Sequence, residues 1–520
     1  MTIATARSWH SVWPSDVPEH LTYPSQPAWW LLEKNLDRHA DRVAIQAIDY
    51  LSGEAIAAWT YGELVAWARR LASRLARSGV KRGDRVALYL PNSPDLVASY
   101  YAIWWLGATA VPCDSMATEP ELTRQVANAQ ACVILATGGN VPVATAVATR
   151  LGIALLHDFQ PDDEPLREPT PVDPRTDVAL LMYTGGTTGT PKGAMLTHAN
   201  LVANTLQFAT WFHMTDGEET VIAALPLFHA GGLAGAMNVP LFTGSTLLLM
   251  ERFSPGVVAH TISRWKATRF FGVPTMYIGI LEDAEARAAD LSSLRASRSG
   301  AAPLPMAVKH RFDELVGHEV LVEGYGLSEA GPLALINPVR QTRPGSIGIP
   351  LPDTDAAIVD EAGGAARQGE LLIRGPQVMT GYWNAPEATA AALRDGWLHT
   401  GDTARQDDAG YFYLDGRTKD SIITGGFKVW PNEVEEALYR HPSVAMAAVV
   451  GVPDDYRGQA VKAFVVPTPE SRDSAKLAEE LREFARTELA PYKIPRQIEV
   501  VDALPISHQG KVLRRALRSS

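Results

Sequence analysis

A segment rich in glycine and threonine follows an apolar run near residue 180. The run Val178-Ala-Leu-Leu-Met-Tyr183 predicts a buried strand, and residues 184–193 hold four glycines, four threonines and Lys192. Glycines let backbone N–H groups approach an anion, threonine hydroxyls donate further hydrogen bonds, and a lysine adds charge. The segment therefore predicts a polyphosphate-binding loop rather than a surface turn, which needs no lysine. It is not a Walker loop, because Pro191 precedes the lysine.

Further short motifs follow this loop in order along the chain. They are Leu225-Pro-Leu-Phe-His229, Ser299-Gly-Ala-Ala-Pro303, Gly324-Tyr-Gly-Leu-Ser-Glu329, Thr400-Gly-Asp402, Asp415-Gly-Arg-Thr-Lys-Asp420, Gly425-Gly-Phe-Lys-Val-Trp-Pro-Asn-Glu433 and Gly510-Lys511. Together with the loop they resemble the adenylate-forming superfamily, which includes acyl-CoA synthetases, firefly luciferase and peptide-synthetase adenylation domains. The motifs are most similar to those of fatty-acid–CoA ligases. The resemblance covers nearly the whole chain.

The resemblance implies an ATP site. Lys192 would hold the β- and γ-phosphates, the ring of Tyr325 would face adenine, and Asp402 would accept hydrogen bonds from the ribose hydroxyls. Glu329 and Thr184 would bind Mg²⁺, a hard cation that prefers oxygen ligands. The implied nucleotide contacts are Thr184, Gly185, Gly186, Thr187, Thr188, Gly189, Lys192, Gly300, Ala301, Ala302, Gly324, Tyr325, Gly326, Ser328, Asp402 and Arg417.

The implied catalytic residues are Lys511, Lys192, Glu329 and His229. Attack of a carboxylate on the α-phosphate brings two anions together, and Lys511 would neutralise the charge that develops. His229 would line the passage between the acid and the thiol without acting as a base, because the acid is already ionised near neutral pH. The run Ile506-Ser-His-Gln-Gly-Lys511 departs from the usual Lys-Thr-x-Ser-Gly-Lys, so the support of this lysine differs.

The resemblance also places the acyl pocket. Its implied walls are His229, Gly231, Gly232, Leu233, Gly272, Val273 and Leu333, none of them charged apart from a protonated His229. A charged tail would be buried there without a partner, so the expected substrate is apolar, with dicarboxylates and amino acids rejected. Leu233 stands where some long-chain synthetases have a gating tryptophan, so no gated tunnel is expected. The glycines leave both alkyl and aryl acids open.

A second reaction in the same cleft requires movement. Lys511 must leave so that Gly425 and Gly426 can line a narrow path for the thiol arm of coenzyme A. A rigid lid cannot serve both steps, so a few boundary residues must change their backbone angles. The resemblance places this hinge at Lys419.

The elements that position these residues alternate between helices and short strands. Trp59 to Leu90 predicts a helix and a strand, with Thr60 and Glu63 as a capping box. This alternation predicts an α/β fold with largely parallel sheets up to about residue 340, and residues 345–414 are β-rich. We therefore expect a large N-terminal domain, residues 1–417, of two α/β subdomains and a β-rich subdomain, and a small mobile α+β lid, residues 418–520.

Composition limits the binding partners and the cellular compartment that we expect. The net charge of −11 makes nucleic acid an unfavourable partner. Cys113 and Cys132 form no CxxC motif, which indicates a reduced, cytoplasmic protein. The first residues lack the apolar run of a signal peptide. Two uncharged stretches, Ala98–Cys113 and Val221–Met250, are interrupted by glycine or proline, so we expect core elements and no transmembrane span.

The predicted function is an ATP-dependent acid–thiol ligase that uses Mg²⁺ and coenzyme A. It would convert a medium- or long-chain fatty acid, or a related apolar acid, into an acyl-AMP with release of pyrophosphate, and then into an acyl-CoA. Two alternative functions stay open: an aryl-acid–CoA ligase, and an enzyme that transfers the acyl group to a carrier protein or an amine. A homodimeric state also stays open. Retention of Lys192, Glu329, Asp402, Arg417 and Lys511 argues against a non-catalytic nucleotide-binding regulatory module.

Overall fold

The computed structural model describes residues 7–159, 164–184, 192–417, 420–454, 456–471, 476–507 and 510–518. The helices are α1 (Trp30–Glu33), α2 (Leu36–His39), α3 (Tyr61–Arg77), α4 (Pro94–Trp105), α5 (Glu119–Ala129), α6 (Val141–Leu151), α7 (His198–Trp211), α8 (Val239–Phe242), α9 (Pro255–Trp265), α10 (Pro274–Glu282), α11 (Ala284–Ala288), α12 (Met306–Val316), α13 (Pro386–Ala392), α14 (Pro431–Tyr439), α15 (Leu477–Glu488) and α16 (Arg514–Leu517). A π-helix spans Gly232–Asn238.

The strands are β1 (Val43–Ile48), β2 (Ala55–Thr60), β3 (Arg85–Tyr89), β4 (Thr109–Pro112), β5 (Val133–Ala136), β6 (Ala154–Leu156), β7 (Val178–Thr184), β8 (Lys192–Thr197), β9 (Thr220–Ala223), β10 (Thr246–Met250), β11 (Arg269–Gly272), β12 (Ala296–Ser299), β13 (Leu321–Tyr325), β14 (Leu335–Ile336), β15 (Ile349–Pro350), β16 (Asp355–Val359), β17 (Gln368–Arg374), β18 (Gly381–Tyr382), β19 (Leu393–Arg394), β20 (Trp397–Gln406), β21 (Phe412–Arg417), β22 (Ile422–Thr424), β23 (Phe427–Val429), β24 (Val444–Asp454), β25 (Gly458–Pro467) and β26 (Gln497–Val500).

Two large sheets form the body of the protein. One has seven strands in the order β18-β8-β7-β4-β3-β5-β6, and the other has nine in the order β15-β14-β13-β12-β11-β9-β10-β1-β2. The central strands of both sheets pair in parallel. This arrangement confirms the predicted α/β class. Helix α3 begins with the predicted capping box of Thr60 and Glu63.

Helix α4 connects the two sheets, and its contacts explain the first uncharged stretch. The indole N–H of Trp104 donates to the carbonyl of Ala179 in β7 at 2.9 Å, and the Tyr100 hydroxyl donates to the carbonyl of Leu227 at 3.0 Å. These two bonds tie the buried helix to the seven-stranded sheet and to the segment that follows β9. In the described parts of the chain, no helix is long and apolar enough to cross a membrane.

The last two sheets are smaller. Strands β16, β17, β19, β20 and β21 form an antiparallel sheet, and β22 to β26 form a separate five-stranded sheet packed on α14 and α15. The segment after β26 contacts the large domain at Gly510, whose carbonyl accepts a hydrogen bond from the Thr275 hydroxyl at 2.9 Å. The pairing changes between Arg417 and Ile422, which supports the proposed boundary. Thr418 and Lys419 lie outside the described residues.

Candidate active site

A cleft of about 1260 Å³ lies where the two large sheets, the β-rich sheet and the C-terminal sheet meet. It brings together residues that are far apart in the sequence. The predicted site residues on its wall are Lys192, His229, Gly231, Gly232, Gly272, Val273, Gly300, Ala301, Ala302, Gly324, Tyr325, Gly326, Ser328, Glu329, Asp402 and Lys511. Gly185, Gly186, Thr187, Thr188 and Gly189 of the predicted phosphate loop lie outside the described residues, as does Lys419.

The predicted adenine and ribose residues are in direct contact. The hydroxyl of Tyr325, at the end of β13, donates to the Oδ2 atom of Asp402 in β20 at 2.6 Å. In the antiparallel register of β20 and β21, the backbone of Asp402 lies opposite that of Arg417. Gly326 must be glycine, because a methyl group there would overlap the carbonyl oxygen of Pro332. The aromatic ring and the carboxylate are therefore held in fixed positions on adjoining walls of the cleft.

Lys192 and Glu329 are connected by a residue that the motifs do not predict. The Tyr382 hydroxyl donates to the Oε1 atom of Glu329 at 2.7 Å, and the Lys192 ammonium lies 5.5 Å from the centre of the Tyr382 ring. Strand β18 places Tyr382 opposite Ala194 of β8, next to the strand position of the lysine. Only this strand pairing reveals the contact, since a tyrosine after a glycine is no signal by itself.

His229 is a neutral side chain in the wall. Burial, together with the positive charge of Lys511, lowers the pKa of His229 to about 3. Its Nε2 atom is buried and has no hydrogen-bond partner among the described residues. A histidine that stays uncharged at neutral pH suits a lining role better than proton transfer, as expected from the sequence.

Lys511 enters the cleft from the C-terminal sheet. A tight turn presents it, in which the Ser507 N–H donates to the Lys511 carbonyl at 2.8 Å and the Lys511 N–H donates to the Ser507 hydroxyl at 3.2 Å. Ser507 belongs to the unusual Ile506–Gln509 run, so this run retains a hydroxyl that supports the lysine backbone. Gly425 and Gly426 are not on the cleft wall; they form the β22–β23 turn, where an added methyl group meets open space.

The structure places five of the seven predicted acyl-pocket residues on the cleft wall. His229, Gly231, Gly232, Gly272 and Val273 are on the wall. Leu233 and Leu333 are not: both are buried in the main core, and Leu333 packs behind Gly324. The direction of each side chain, which a motif position does not specify, places these two leucines in the core.

The wall also contains a cation that the motifs do not predict. Arg298 in β12 lines the cleft, immediately before the Ser299-Gly-Ala-Ala-Pro303 motif. An arginine in a short buried strand is only weak evidence for a ligand site, because a buried arginine commonly pairs with a buried carboxylate.

Two adjacent glycines of the wall should respond differently to a methyl group. In Gly232→Ala the new methyl overlaps the carbonyl oxygen of Pro226, whereas in Gly231→Ala it meets nothing within 4 Å. We expect Gly232→Ala to lose about 1–3 kcal/mol of stability through overpacking. Gly231→Ala should melt near the wild-type temperature. Equal melting temperatures for both variants would contradict this geometry.

Comparisons with known proteins agree with the geometry. Residues 32–383 match the AMP-binding enzyme family, and residues 433–511 match the AMP-binding enzyme C-terminal domain. The chain belongs to the AMP-binding enzyme family. This AMP-binding enzyme is 40% identical to a long-chain-fatty-acid–CoA ligase of Bacillus subtilis (strain 168), with 98% of this chain and 97% of the relative covered. It is 41% identical to a feruloyl-CoA synthase of Amycolatopsis sp, covering 89% and 94%.

Solved structures give the same result. The crystal structure of an anthranilate CoA ligase in complex with anthranoyl-AMP superposes with a TM-score of 0.87 and 29% identity, covering 97% of this chain and 98% of that one. A benzoate CoA ligase from Burkholderia xenovorans LB400 gives 0.85 and 30%, covering 94% and 99%. This AMP-binding enzyme is an AMP-forming acid–thiol ligase, which confirms the predicted class.

Proposed function

We propose that this enzyme activates a carboxylic acid with an apolar body as an acyl-adenylate and transfers the acyl group to coenzyme A. The observation that carries the proposal is the position of Lys511, which lines the same cleft as Lys192, Glu329 and Asp402. Adenylation requires these groups: two lysines for the anions, one carboxylate for a metal ion and one for the ribose of ATP. We also propose that the enzyme is cytoplasmic.

In the first half-reaction, a carboxylate oxygen attacks the α-phosphorus of ATP and the bond to the β-phosphate oxygen breaks. Lys511 would neutralise the charge shared by the two anions, and Lys192 would hold the departing pyrophosphate. Asp402, fixed by Tyr325, would orient the ribose and thereby the α-phosphate. The step needs no protein base, which agrees with a neutral His229.

The residues also fit a magnesium ion. Mg²⁺ is commonly bound through one or two carboxylates and substrate phosphates, and when bound it would neutralise the phosphate charges. Glu329 is the carboxylate on the wall, and the Tyr382 hydroxyl fixes one of its oxygens. No cluster of three or more His, Cys, Asp or Glu residues suited to a metal occurs within the described ranges, so phosphate oxygens would complete the coordination.

In the second half-reaction the thiol of coenzyme A attacks the acyl carbon and AMP leaves. Gly425 and Gly426 would line the path of the thiol arm after the lid has turned. The acid would be alkyl or aryl: similar proteins include a long-chain-fatty-acid–CoA ligase and a feruloyl-CoA synthase. Gly231 on the wall faces open space, which leaves room for either kind of acid.

A pyrophosphate-release screen tests the proposal. Purified enzyme with ATP and Mg²⁺ is offered fatty, aryl, dicarboxylic and amino acids, each with coenzyme A, with an amine acceptor or with no acceptor. We expect release with apolar-bodied acids and formation of the acyl-CoA, detected by mass spectrometry. If no acid supports pyrophosphate release, or if an amine is the better acceptor, the proposed function is wrong.

Removing the Tyr382 hydroxyl should weaken the metal step specifically. Tyr382→Phe keeps the ring beside Lys192 but removes a hydrogen bond to a carboxylate, which is worth about 1.5–3 kcal/mol. We expect adenylation to slow about tenfold or more at limiting Mg²⁺ and to recover partly at high Mg²⁺. Tyr411→Phe is the matched control, because its hydroxyl bonds to the Gln341 carbonyl and does not line the cleft. An unchanged Mg²⁺ dependence would separate Tyr382 from the metal.

A further inference from the structure

Arg298 is a buried cation in the wall of the cleft. It lies in β12, near the middle of the nine-stranded sheet, and its side chain is only 5% exposed. Burial lowers the pKa of its guanidinium to about 10, so the group stays positively charged at neutral pH. Arg298 also lines the cleft, so the charge is within reach of a bound molecule.

No ion-pair partner of Arg298 is found among the described residues. Within the part of the chain that the structure describes, no carboxylate lies within ion-pair distance of Arg298, and its buried Nε atom has no hydrogen-bond acceptor. Other buried cations are paired: Arg269 meets Glu219 at 2.8 Å, and Lys309 meets Asp313 at 2.5 Å. A buried charge without a partner is unfavourable. Its presence at a cleft wall indicates that a ligand supplies the missing acceptor.

The strand register fixes which face of the sheet carries the Arg298 side chain. In the parallel register Arg298 is paired with Phe271 on one side and Val322 on the other, so these three side chains share one face of the sheet. Phe271 on that face packs against Phe208 of α7 with ring centres 5.1 Å apart, and it borders Gly235 of the π-helix that follows His229. The Arg298 guanidinium thus lies on the side of the sheet that faces α7 and the π-helix.

Two glycines without side chains lie directly against the guanidinium. A methyl group at Gly300 would overlap its Nη2 atom, and one at Gly324 would lie 3.1 Å from its Nε atom. Both glycines line the cleft. Lys192 and Lys511 are the proposed partners of the phosphates and Asp402 that of the ribose, so the proposed nucleotide contacts do not require Arg298.

We propose that Arg298 recognises an oxygen acceptor on the tail of the substrate acid, separate from the carboxylate that reacts. The ligand class is a carboxylic acid whose apolar body carries a second oxygen group, either a neutral hydroxyl or ether oxygen or a second carboxylate. The inference rests on the proposed function, because it names a feature of the acid that this same cleft activates. The uncharged predicted acyl-pocket residues on the wall, from His229 to Val273, would accommodate the body of the acid.

Matched acids provide the test. The scaffold that ranks first in the pyrophosphate screen is used in three forms of equal length, such as octanoate, 8-hydroxyoctanoate and octanedioate, or cinnamate, 4-hydroxycinnamate and 4-carboxycinnamate. We expect wild-type kcat/KM to be at least about tenfold higher for one of the oxygenated acids than for the plain acid. The two oxygenated forms distinguish a neutral acceptor from an anionic one.

Arg298→Leu should reverse this preference, since it leaves an apolar wall against the oxygen group. Its KM for ATP should stay within about twofold, which separates tail recognition from nucleotide binding. Arg298→Lys should keep part of the preference. In the absence of substrates Arg298→Leu should melt at a higher temperature than wild type, because an unpaired buried charge has been removed. A residue with a purely structural role would give the opposite shift.

Three results would overturn the inference: a wild-type preference for the plain acid, an acid preference that Arg298→Leu does not alter, or a change confined to the KM for ATP. All three require normal pyrophosphate release and therefore leave the proposed function intact. If Arg298→Leu does not fold, the wild-type panel and Arg298→Lys still decide. Absence of pyrophosphate release with every acid would instead contradict the proposed function, and the inference with it.

Discussion

Lys511→Ala is expected to slow acyl-adenylate formation by about 10²–10³-fold and to leave thioester formation from supplied acyl-adenylate nearly unchanged. In the structure Lys511 lies in the cleft with the other candidate adenylation groups, and the Thr275–Gly510 hydrogen bond holds its turn against the large domain. Only the first half-reaction brings two anions together, so only that step needs this charge.

The two half-reactions can be measured separately. Pyrophosphate release reports the first, and conversion of synthetic acyl-adenylate to acyl-CoA reports the second. Lys476→Ala is a control for removing a lysine from the lid, because Lys476 is exposed and is not on the cleft wall. Equal losses in both half-reactions would remove the special role of Lys511 in adenylation.

Lys419→Pro is expected to leave adenylation nearly intact and to reduce thioester formation by about 10²-fold or more, the loss that follows when reacting groups are misplaced by an ångström. With Lys511 in the cleft, the Gly425–Gly426 turn is off the wall. The lid must therefore rotate before these glycines can guide a thiol, and boundary residues must change their φ and ψ angles. Proline fixes φ near −65° and would prevent that change at the proposed hinge.

Lys419→Ala serves as the control, since it removes the side chain without restricting the backbone. It should retain both half-reactions. A folded Lys419→Pro enzyme with normal rates in both steps would mean that the hinge is elsewhere or that the lid does not alternate.

Elements with local signals could be predicted from the sequence. The Thr60–Glu63 capping box begins α3 where expected, and Pro431 opens α14 at its first turn. These signals depend on residues within four positions of each other, which a sequence displays directly. The family motifs likewise identify most of the cleft wall, because each motif is a short continuous segment.

Contacts between distant segments could not be predicted. Tyr382 and Glu329 are 53 residues apart, and Tyr325 and Asp402 are 77 apart, so only the folded sheets bring their side chains together. The direction of single side chains could not be predicted either. Leu233 and Leu333 are buried in the core, whereas strand β12 places Arg298 on the wall.

The Tyr325–Asp402 hydrogen bond has a consequence for the protein as a molecule in solution. Its two ends belong to different sheets, β13 in the nine-stranded sheet and β20 in the β-rich sheet. A nucleotide that contacts both would bind only the arrangement in which the sheets are joined, so its free concentration would set how firmly they are held, by RT ln(1 + [L]/Kd). We therefore expect that the contact between these two sheets becomes less stable first when ATP is depleted. In nucleotide-free enzyme, proteases should cut near this contact before the rest of the large domain unfolds.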